Sequence, residues 1–232
     1  MTMKPNIFKK RILVTGSTKG IGRAITEKFL NEDYEVIGFA RSGTNKLSHE
    51  SYQHYTADIA IPDMVEALSN GLTDKKIDIL VNNAAVFEYK PFVDMDWREI
   101  QYMVDVNLKG AMYVTKYFLP LMNDASKIFF INSVAGLEQL ENQSVYGATK
   151  HGLTAFAGIL GKELKERKIK VTSIHPGGVN TPMWEDKVKF HDKLDELLRP
   201  EDVADMVYYI SQQHYNVETK TIKMYPEIEW HQ

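Results

Sequence analysis

Short apolar runs of strand length alternate along this chain with longer segments whose apolar residues recur at helical spacing. The runs follow one another in the order Ile12–Val14, Val36–Ala40, Tyr52–Thr56, Ile77–Val81, Lys127–Asn132, Ile169–Ile174 and Thr221–Met224. Apolar strands interleaved with helices are typical of a parallel sheet that is covered on both faces. The pattern therefore predicts an α/β fold with three layers, doubly wound around a parallel sheet of six to seven strands.

The intervening segments predict the covering helices, at about 20–31, 62–72, 97–122, 145–167, 184–197 and 201–213. Pro62 falls in a first helical turn, where proline is tolerated. Within the segment 97–122 the only helix breaker is Gly110, and Pro120 lies in the last turn. Because no linker or internal repeat interrupts the pattern, we expect residues 1–232 to form a single domain, with 182–199 as a candidate lid over a bound substrate.

Composition removes several classes of function. The chain has 232 residues, a formal net charge of −3 and no cysteine. This charge gives no reason to expect a nucleic acid or a membrane as partner, and the lack of cysteine excludes disulfides and cysteine nucleophiles. The histidines show no metal-ligand spacing, so no metal site is expected. No apolar signal segment or membrane span is apparent, so the cytoplasm is the default location.

A glycine-rich loop follows the first predicted strand and opens the first helix. Its spacing is G-x-x-x-G-x-G, and the residues expected to bind a nucleotide cofactor are Gly16, Ser17, Thr18, Lys19, Gly20, Ile21 and Gly22. Glycines let a pyrophosphate approach the backbone, and the helix N-terminus offers free N–H groups and a positive dipole end. Such a loop alone is weak evidence, since a strand-to-helix turn that binds nothing would look the same.

A second set of polar residues suggests proton transfer. Tyr146 and Lys150 are four residues apart in a predicted helix and therefore share one face, and Ser133 follows the fifth predicted strand. An ammonium group beside a phenol favours the phenolate and lowers the tyrosine pKa. Ser133 could hold a carbonyl oxygen against that phenol. Taken singly, the three residues would be a half-buried aromatic, a surface cation and a turn residue.

These residues resemble motifs of the short-chain dehydrogenase/reductase family, in its compact single-domain branch, over about residues 10–213. The matching motifs, in the order typical of the family, are Thr15-Gly16-x-x-x-Gly20-x-Gly22, Asn82-Asn83-Ala84, Asn107, Ser133, Tyr146 with Lys150, and Pro176-Gly177-Gly178-Val179-Asn180-Thr181. One departure is Ala85, which replaces a family glycine. The resemblance implies a Rossmann fold, a nicotinamide cofactor and catalysis by Asn107, Ser133, Tyr146 and Lys150.

The resemblance implies an oxidoreductase that interconverts a carbonyl compound and its secondary alcohol by hydride transfer. Tyr146 would be the acid and base, and Lys150 would lower its pKa and bind the nicotinamide ribose. Ser133 would donate to the developing alkoxide. Asn107 would hold a water that links Lys150 to solvent. The alternative is a redox sensor that binds NADP(H) without turnover; a nucleotide-sugar epimerase is less compatible with the short chain and the glycine spacing.

The second predicted strand indicates which cofactor is preferred. Position 41, where a carboxylate would bind the ribose hydroxyls of NAD(H), is occupied by Arg41, and Lys19 adds a second cation. Both could grip a 2′-phosphate, so NADP(H) is preferred and NAD(H) stays open, although both could also be solvated surface charges. Asp58 resembles an adenine contact or could cap a turn. Further cofactor contacts implied by the resemblance are Asn83, Ala84, Tyr146, Lys150, Pro176, Gly177, Val179 and Thr181.

Ligands of open α/β sheets bind beyond the carboxyl ends of the strands. The residues expected to contact a small carbonyl or alcohol substrate there are Ser133, Phe87, Val134, Met183 and Trp184. His175 precedes the Pro-Gly loop and is expected to shape it. The two long helices resemble those through which family members form homodimers and homotetramers. The C-terminal tail after Met224 departs from common family patterns, which weighs against a 3-oxoacyl-carrier-protein reductase.

Overall fold

The computed structural model of the protein describes residues 9–42, 47–184 and 191–229. Its centre is a parallel sheet of seven strands in the order β3-β2-β1-β4-β5-β6-β7. The strands are β1 (Arg11–Thr15), β2 (Glu35–Ala40), β3 (Tyr52–Thr56), β4 (Ile77–Asn82), β5 (Met122–Ile131), β6 (Lys170–Pro176) and β7 (Thr221–Met224). The predicted three-layer, doubly wound Rossmann fold is confirmed.

The strands are apolar on both faces because helices cover both. Successive side chains of a strand point to opposite faces. In β5, Ile128 and Phe130 therefore join one buried cluster. Phe129 and Ile131 join the other, which lies across the sheet. This is why the strands read as continuous apolar runs and not as alternating ones.

In the part of the chain that the structure describes, six α-helices accompany the sheet: α1 (Gly20–Asn31), α2 (Pro62–Asn70), α3 (Trp97–Val104), α4 (Ala111–Phe118), α5 (Ser144–Glu163) and α6 (Pro200–Gln212). Helices α1 and α6 contribute Phe29 and Val207 to one buried cluster. Helices α2, α4 and α5 contribute Val65, Phe118 and Leu153 to the cluster on the opposite face. Within the described ranges, no helix combines the length and apolar character needed to cross a membrane.

The helix predicted over 97–122 is interrupted in a way that its periodicity does not show. Between α3 and α4 the residues Asp105–Gly110 form a π-helical segment, and Leu119–Leu121 end the element as a 3₁₀ turn. Gly110 is not a breaker; a Cβ there would lie 2.8 Å from Ile59 Cγ1, so glycine permits close packing against the loop after β3. Asn107 lies inside the π-helical segment, a type of distortion that is frequent at functional sites.

Other predicted boundaries also need correction. Strand β5 begins at Met122, five residues before the predicted Lys127, because the polar residues Asn123 and Asp124 hide its first part from an apolar pattern. The described residues of the predicted helix 184–197 are 3₁₀ turns, at Pro182–Trp184 and His191–Glu196, and 185–190 lie outside the described residues. The proposed lid over 182–199 therefore stays a prediction.

Candidate active site

A cleft of about 1690 Å³ lies along the carboxyl ends of the strands. The predicted site residues that line it are Gly16, Thr18, Lys19, Gly20, Ile21, Arg41, Asp58, Asn83, Ala84, Phe87, Ser133, Val134, Tyr146, Lys150, Pro176, Gly177, Val179, Thr181 and Met183. Ser17, Gly22 and Asn107 are not part of this lining, and the side chain of Trp184 lies outside the described residues. The fold thus brings the glycine loop and the proton-transfer residues into one cleft.

The glycines of the loop have distinct structural roles. Gly16 and Gly20 have φ values of 70° and 55°, in the left-handed region that favours glycine. Gly22 is required by packing, because a Cβ there would lie 2.2 Å from the carbonyl oxygen of Gly16. A side chain at any of the three positions would therefore distort the loop.

Two strand ends fasten this loop in place. The side-chain amide of Asn83 donates to the carbonyl oxygen of Thr15 over 2.8 Å, and the backbone N–H of Asn83 donates to Thr15 Oγ1 over 2.9 Å. The backbone N–H groups of Gly16 and Ser17 both donate to the carbonyl oxygen of Phe39. The backbone N–H groups in the first turn of α1 remain available to bind an anion. No side chain of the described residues caps this turn.

Ser17 was predicted to bind the cofactor, and the structure directs its side chain elsewhere. The Ser17 hydroxyl is buried and lies 3.0 Å from the Tyr52 hydroxyl, which is itself 3.2 Å from Nδ1 of His54. Tyr52 and His54 belong to β3, so this chain of polar groups ties the back of the glycine loop to the outer strand. Sequence spacing gave no sign of it, because Ser17 lies 35 residues before Tyr52.

The two predicted cations are exposed at the glycine-loop end of the cleft. Arg41 extends from the end of β2 to α3, where Nη1 donates to the Tyr102 hydroxyl and the guanidinium carbon lies 5.5 Å from the centre of that ring. Asp58 Oδ1 accepts from the backbone N–H of Ala60 over 2.9 Å, so its capping role is realised while the residue still lines the cleft. Tyr102 was not predicted as a site residue.

Helix α5 carries the central pair of the site. Tyr146 is 8% exposed and Lys150 2% exposed, and both line the cleft from the first turns of the helix. Lys150 Nζ donates to the carbonyl oxygen of Ile131 over 3.1 Å and lies 5.5 Å from the centre of the Tyr146 ring. Ser133 lines the same cleft, and its hydroxyl lowers the pKa of the Tyr146 phenol. The predicted trio therefore meets at the end of β5.

Burial dominates the pKa values of this pair. It raises the pKa of Tyr146 to about 12, and the Ser133 hydroxyl opposes the shift. Burial also lowers the pKa of Lys150 to about 8. The net shift of the tyrosine pKa is therefore upward, opposite to the predicted direction, because removing both groups from water disfavours both charged forms. The contribution of Lys150 to the tyrosine pKa stays a prediction. In this state Tyr146 holds its proton.

Asn107 is 2% exposed and faces the backbone after β4. Its Oδ1 accepts from the N–H of Val86 over 2.8 Å, and its Nδ2 donates to the carbonyl oxygen of Val86 over 2.8 Å and to Thr149 Oγ1 over 3.3 Å. The amide thus links the π-helical segment, the loop after β4 and α5. The predicted water relay through Asn107 stays a prediction.

The sequence analysis did not identify Asn132 as a site residue and did not predict the contact between His175 and Ser133. Asn132 Nδ2 donates to Thr154 Oγ1 over 2.8 Å and lies 3.2 Å from the carbonyl oxygen of Lys150, so it ties β5 to α5. His175 was expected to shape the Pro-Gly loop, and its Nδ1 lies 2.9 Å from the carbonyl oxygen of Ser133. A polar residue directly after or within an apolar strand was the available signal in both cases.

The atypical tail also reaches the cleft. Tyr225 follows β7, lines the cleft and donates its hydroxyl hydrogen to Glu138, which also lies 3.7 Å from Lys223 Nζ. Glu138 lies a few residues after Ser133, so the end of the chain contributes to the wall beside the proton-transfer residues. Within the described ranges, no group of three or more His, Cys, Asp or Glu residues could hold a metal ion.

Comparison with known proteins agrees with this architecture. The model of the short chain dehydrogenase family matches residues 10–192. An uncharacterised oxidoreductase from Staphylococcus epidermidis is 33% identical over 229 residues, covering 94% of this chain and 98% of that protein. The protein therefore belongs to the short-chain dehydrogenase/reductase family and is an oxidoreductase of that family.

Two further relatives are similar over most of their length. The sepiapterin reductase of Chlorobaculum tepidum is 32% identical over 217 residues, covering 85% of this chain and 88% of that protein. A serine dehydrogenase, solved in its closed form as a complex with NADP+, is 30% identical with a TM-score of 0.84, covering 92% of this chain and 94% of that one.

Proposed function

We propose that this oxidoreductase uses NADP(H) to interconvert a carbonyl compound and its secondary alcohol, with Tyr146 as the acid and base. The observation that carries the proposal is the convergence of Tyr146, Lys150 and Ser133 in the cleft that the glycine loop also lines. A redox sensor would need the loop and not the buried proton-transfer group.

The residues at the loop end fit a dinucleotide phosphate. The uncapped first turn of α1 and the glycines at 16, 20 and 22 would cradle the pyrophosphate. Arg41 and Lys19 would bind the 2′-phosphate, since Arg41 occupies the position where an acidic residue would favour NAD(H). Relatives differ in this respect: the serine dehydrogenase was solved with NADP+, and a 3-ketoacyl-(acyl-carrier-protein) reductase from Brucella melitensis, 23% identical, with NADH. NADP(H) is our preference and NAD(H) a weaker alternative.

The Pro176–Thr181 loop would hold the nicotinamide, which would supply the hydride when bound, and the protein supplies position and proton. Ser133 Oγ accepts from the N–H of Ala135 over 3.1 Å, which leaves its own hydrogen to donate to the substrate oxygen. Tyr146, whose pKa is raised to about 12, is protonated at neutral pH and donates its proton to that oxygen during reduction. Lys150 then stabilises the phenolate by its charge. The protonated resting state is the form of Tyr146 that reduction requires.

Both apolar and polar side chains line the substrate end of the cleft. Phe87 packs edge-on against the Tyr146 ring with centroids 4.8 Å apart, and Val134 and Met183 are further apolar lining residues, whereas Glu138 and Tyr225 are polar. We propose a small carbonyl compound on an apolar or mixed skeleton as the substrate. We also propose one domain over residues 1–232, a homodimer or homotetramer, and a cytoplasmic location.

The test is NADPH oxidation, followed by near-ultraviolet absorbance, against ketones, aldehydes, quinones and 3-oxoacyl thioesters. Because two similar proteins are a sepiapterin reductase and a serine dehydrogenase, we would also test the reduction of sepiapterin with NADPH and the oxidation of serine with NADP+. Turnover of at least one carbonyl, lost in Tyr146→Phe, supports the proposal. Tight NADPH binding with no turnover across the panel would instead favour the redox sensor.

A further inference from the structure

His175 lies behind the proton-transfer residues and does not belong to the cleft wall. It is the next-to-last residue of β6, it is 0% exposed, and its neighbour in β7 is Lys223. Since it does not line the cleft, it has no direct access to substrate or cofactor. Any effect of His175 on the reaction must therefore act through the groups that it contacts.

The contact that His175 makes is with Ser133. Its Nδ1 lies 2.9 Å from the Ser133 carbonyl oxygen. A carbonyl oxygen only accepts, so Nδ1 carries the hydrogen and Nε2 carries the lone pair. The same oxygen also accepts from the N–H of Gly136 over 2.9 Å. Two donors from two directions thus fix the peptide group of Ser133.

The Ser133 peptide carries a hydroxyl at the wall of the cleft. Its oxygen accepts from the N–H of Ala135, which leaves the hydroxyl hydrogen to donate into the cleft that Tyr146 also lines. If the Ser133 peptide rotated, the hydroxyl would lose that alignment. The side chain of Asn132, the residue before Ser133, anchors the end of β5 to α5, and His175 anchors Ser133 to β6.

The second nitrogen of His175 argues against a role in packing alone. Nε2 is buried and has no hydrogen-bond partner among the described residues. A buried polar atom without a partner costs stability, and a leucine of similar bulk would avoid that cost. The imidazole is therefore retained for what Nδ1 does.

We propose that His175 is a positioning residue of the carbonyl reduction: its Nδ1–H bond to the Ser133 carbonyl holds the Ser133 hydroxyl in line with the Tyr146 phenol. The inference rests on the proposed function. His175 would thus act on the reaction from outside the cleft, through the side chain of Ser133.

Three variants separate the hydrogen bond from the bulk of the ring. His175→Asn places an N–H donor near the position of Nδ1, His175→Gln places its donor farther out, and His175→Leu has none. For the carbonyl that the wild type reduces fastest, we expect kcat to fall about tenfold in the Leu and Gln variants, since one hydrogen bond is lost, and to return close to wild type in the Asn variant. The dissociation constant for NADPH, measured by fluorescence, should stay unchanged in all three.

The outcomes decide the inference. Equal losses of kcat in the Asn and Gln variants, or a wild-type kcat in the Leu variant, would overturn it, because only bulk would then matter. If the Leu variant does not fold, the comparison of Asn with Gln decides alone. Ser211→Ala, which removes a hydroxyl bonded to the Tyr208 carbonyl in α6, controls for a lost hydrogen bond elsewhere.

A second readout does not depend on turnover. Amide hydrogen exchange of residues 133–136 should be faster in the Leu and Gln variants than in the wild type and the Asn variant, because the Ser133 peptide has lost one of its two donors. If the wild type reduces no carbonyl, the proposed function fails while the exchange pattern still tests the anchoring of Ser133. Equal exchange in all four proteins would refute the anchoring.

Discussion

The two ends of the cleft place their charged groups in opposite surroundings. At the glycine-loop end, Lys19 and Arg41 are exposed on backbone turns. At the other end, Tyr146 and Lys150 are buried. Burial raises the pKa of Tyr146 and lowers the pKa of Lys150, so it favours the neutral form of each. An exposed charge contributes little to stability, whereas a buried ionisable group is coupled to packing. Substitution at the exposed end should therefore change cofactor preference at little cost to the fold, whereas substitution of Tyr146 or Lys150 should change catalysis, stability or the pH dependence of stability.

The largest expected effect comes from removing one oxygen atom at the buried end. In Tyr146→Phe the ring can keep its edge-on contact with Phe87. Because the acid is lost, we expect kcat to fall by about 10²–10⁴-fold while the NADPH dissociation constant stays nearly unchanged. Tyr209→Phe, the same change at an exposed position of α6, is the control and should be fully active. An active Tyr146→Phe enzyme would refute the mechanism.

The next largest effect is expected from a substitution in the glycine loop. It tests whether this end of the cleft tolerates substitution at a packed glycine as well as at its exposed cations. Gly22→Ala would place a Cβ 2.2 Å from the Gly16 carbonyl oxygen. Overpacking of this kind costs up to about 3 kcal/mol, so we expect NADPH affinity to fall by as much as about 100-fold in a fluorescence titration.

The matched control is Gly158→Ala in α5. There a Cβ meets nothing within 4 Å among the described residues, and alanine is the better helix former. This variant should keep its NADPH affinity and unfold at a slightly higher temperature. Similar affinities in both variants would show that the glycine spacing is not needed for the loop.

A third test concerns the burial of Lys150, whose folded-state pKa is lowered to about 8 from the ordinary lysine pKa of 10.5. Between these values the unfolded chain binds more protons than the native protein, so the free energy of unfolding rises with pH. From about pH 7 to about pH 9.5 the Lys150 contribution should rise by about 2 kcal/mol.

The measurement is urea unfolding of the wild type and of Lys150→Met across that range. The difference between the two proteins isolates Lys150, because Lys127, the other lysine of the described residues whose pKa is lowered, is present in both. The Met variant should be more stable at neutral pH, and its advantage should shrink as pH rises. A difference that does not depend on pH would mean that Lys150 is not desolvated.

The smallest effect is expected at the exposed end, from Arg41→Asp. A carboxylate there would repel a 2′-phosphate and could accept from ribose hydroxyls, so the ratio of NADPH to NADH affinity should fall by about tenfold. Arg98→Asp makes the same charge change in α3, outside the cleft lining, and should leave the ratio as it is. An unchanged ratio in Arg41→Asp would count against the assignment of Arg41 to the phosphate.

The sequence predicted those features that depend on residues close together along the chain, and it did not predict those that depend on contacts between distant residues. Strands β3 and β7 begin and end where their patterns predicted, and Tyr146 and Lys150 share a helix face because i and i+4 spacing is a property of any helix. The hydrogen bonds from Ser17 to Tyr52 and from His175 to Ser133 join residues far apart along the chain, so no spacing could show them. The raised pKa of Tyr146 was missed for a related reason: it depends on burial, which only the packed structure defines.

The π-helical turn at Asp105–Gly110 has one further consequence. A wider turn holds one more residue than a regular one, so the helical parts on either side are out of phase by about 100°. That offset lets α3 present Met103 to the small cluster around Phe87 while α4 presents Val114 and Phe118 to the sheet. A single-residue deletion within the turn would straighten the helix and force one of these two surfaces out of register, so this short stretch should tolerate substitution far better than any change in length.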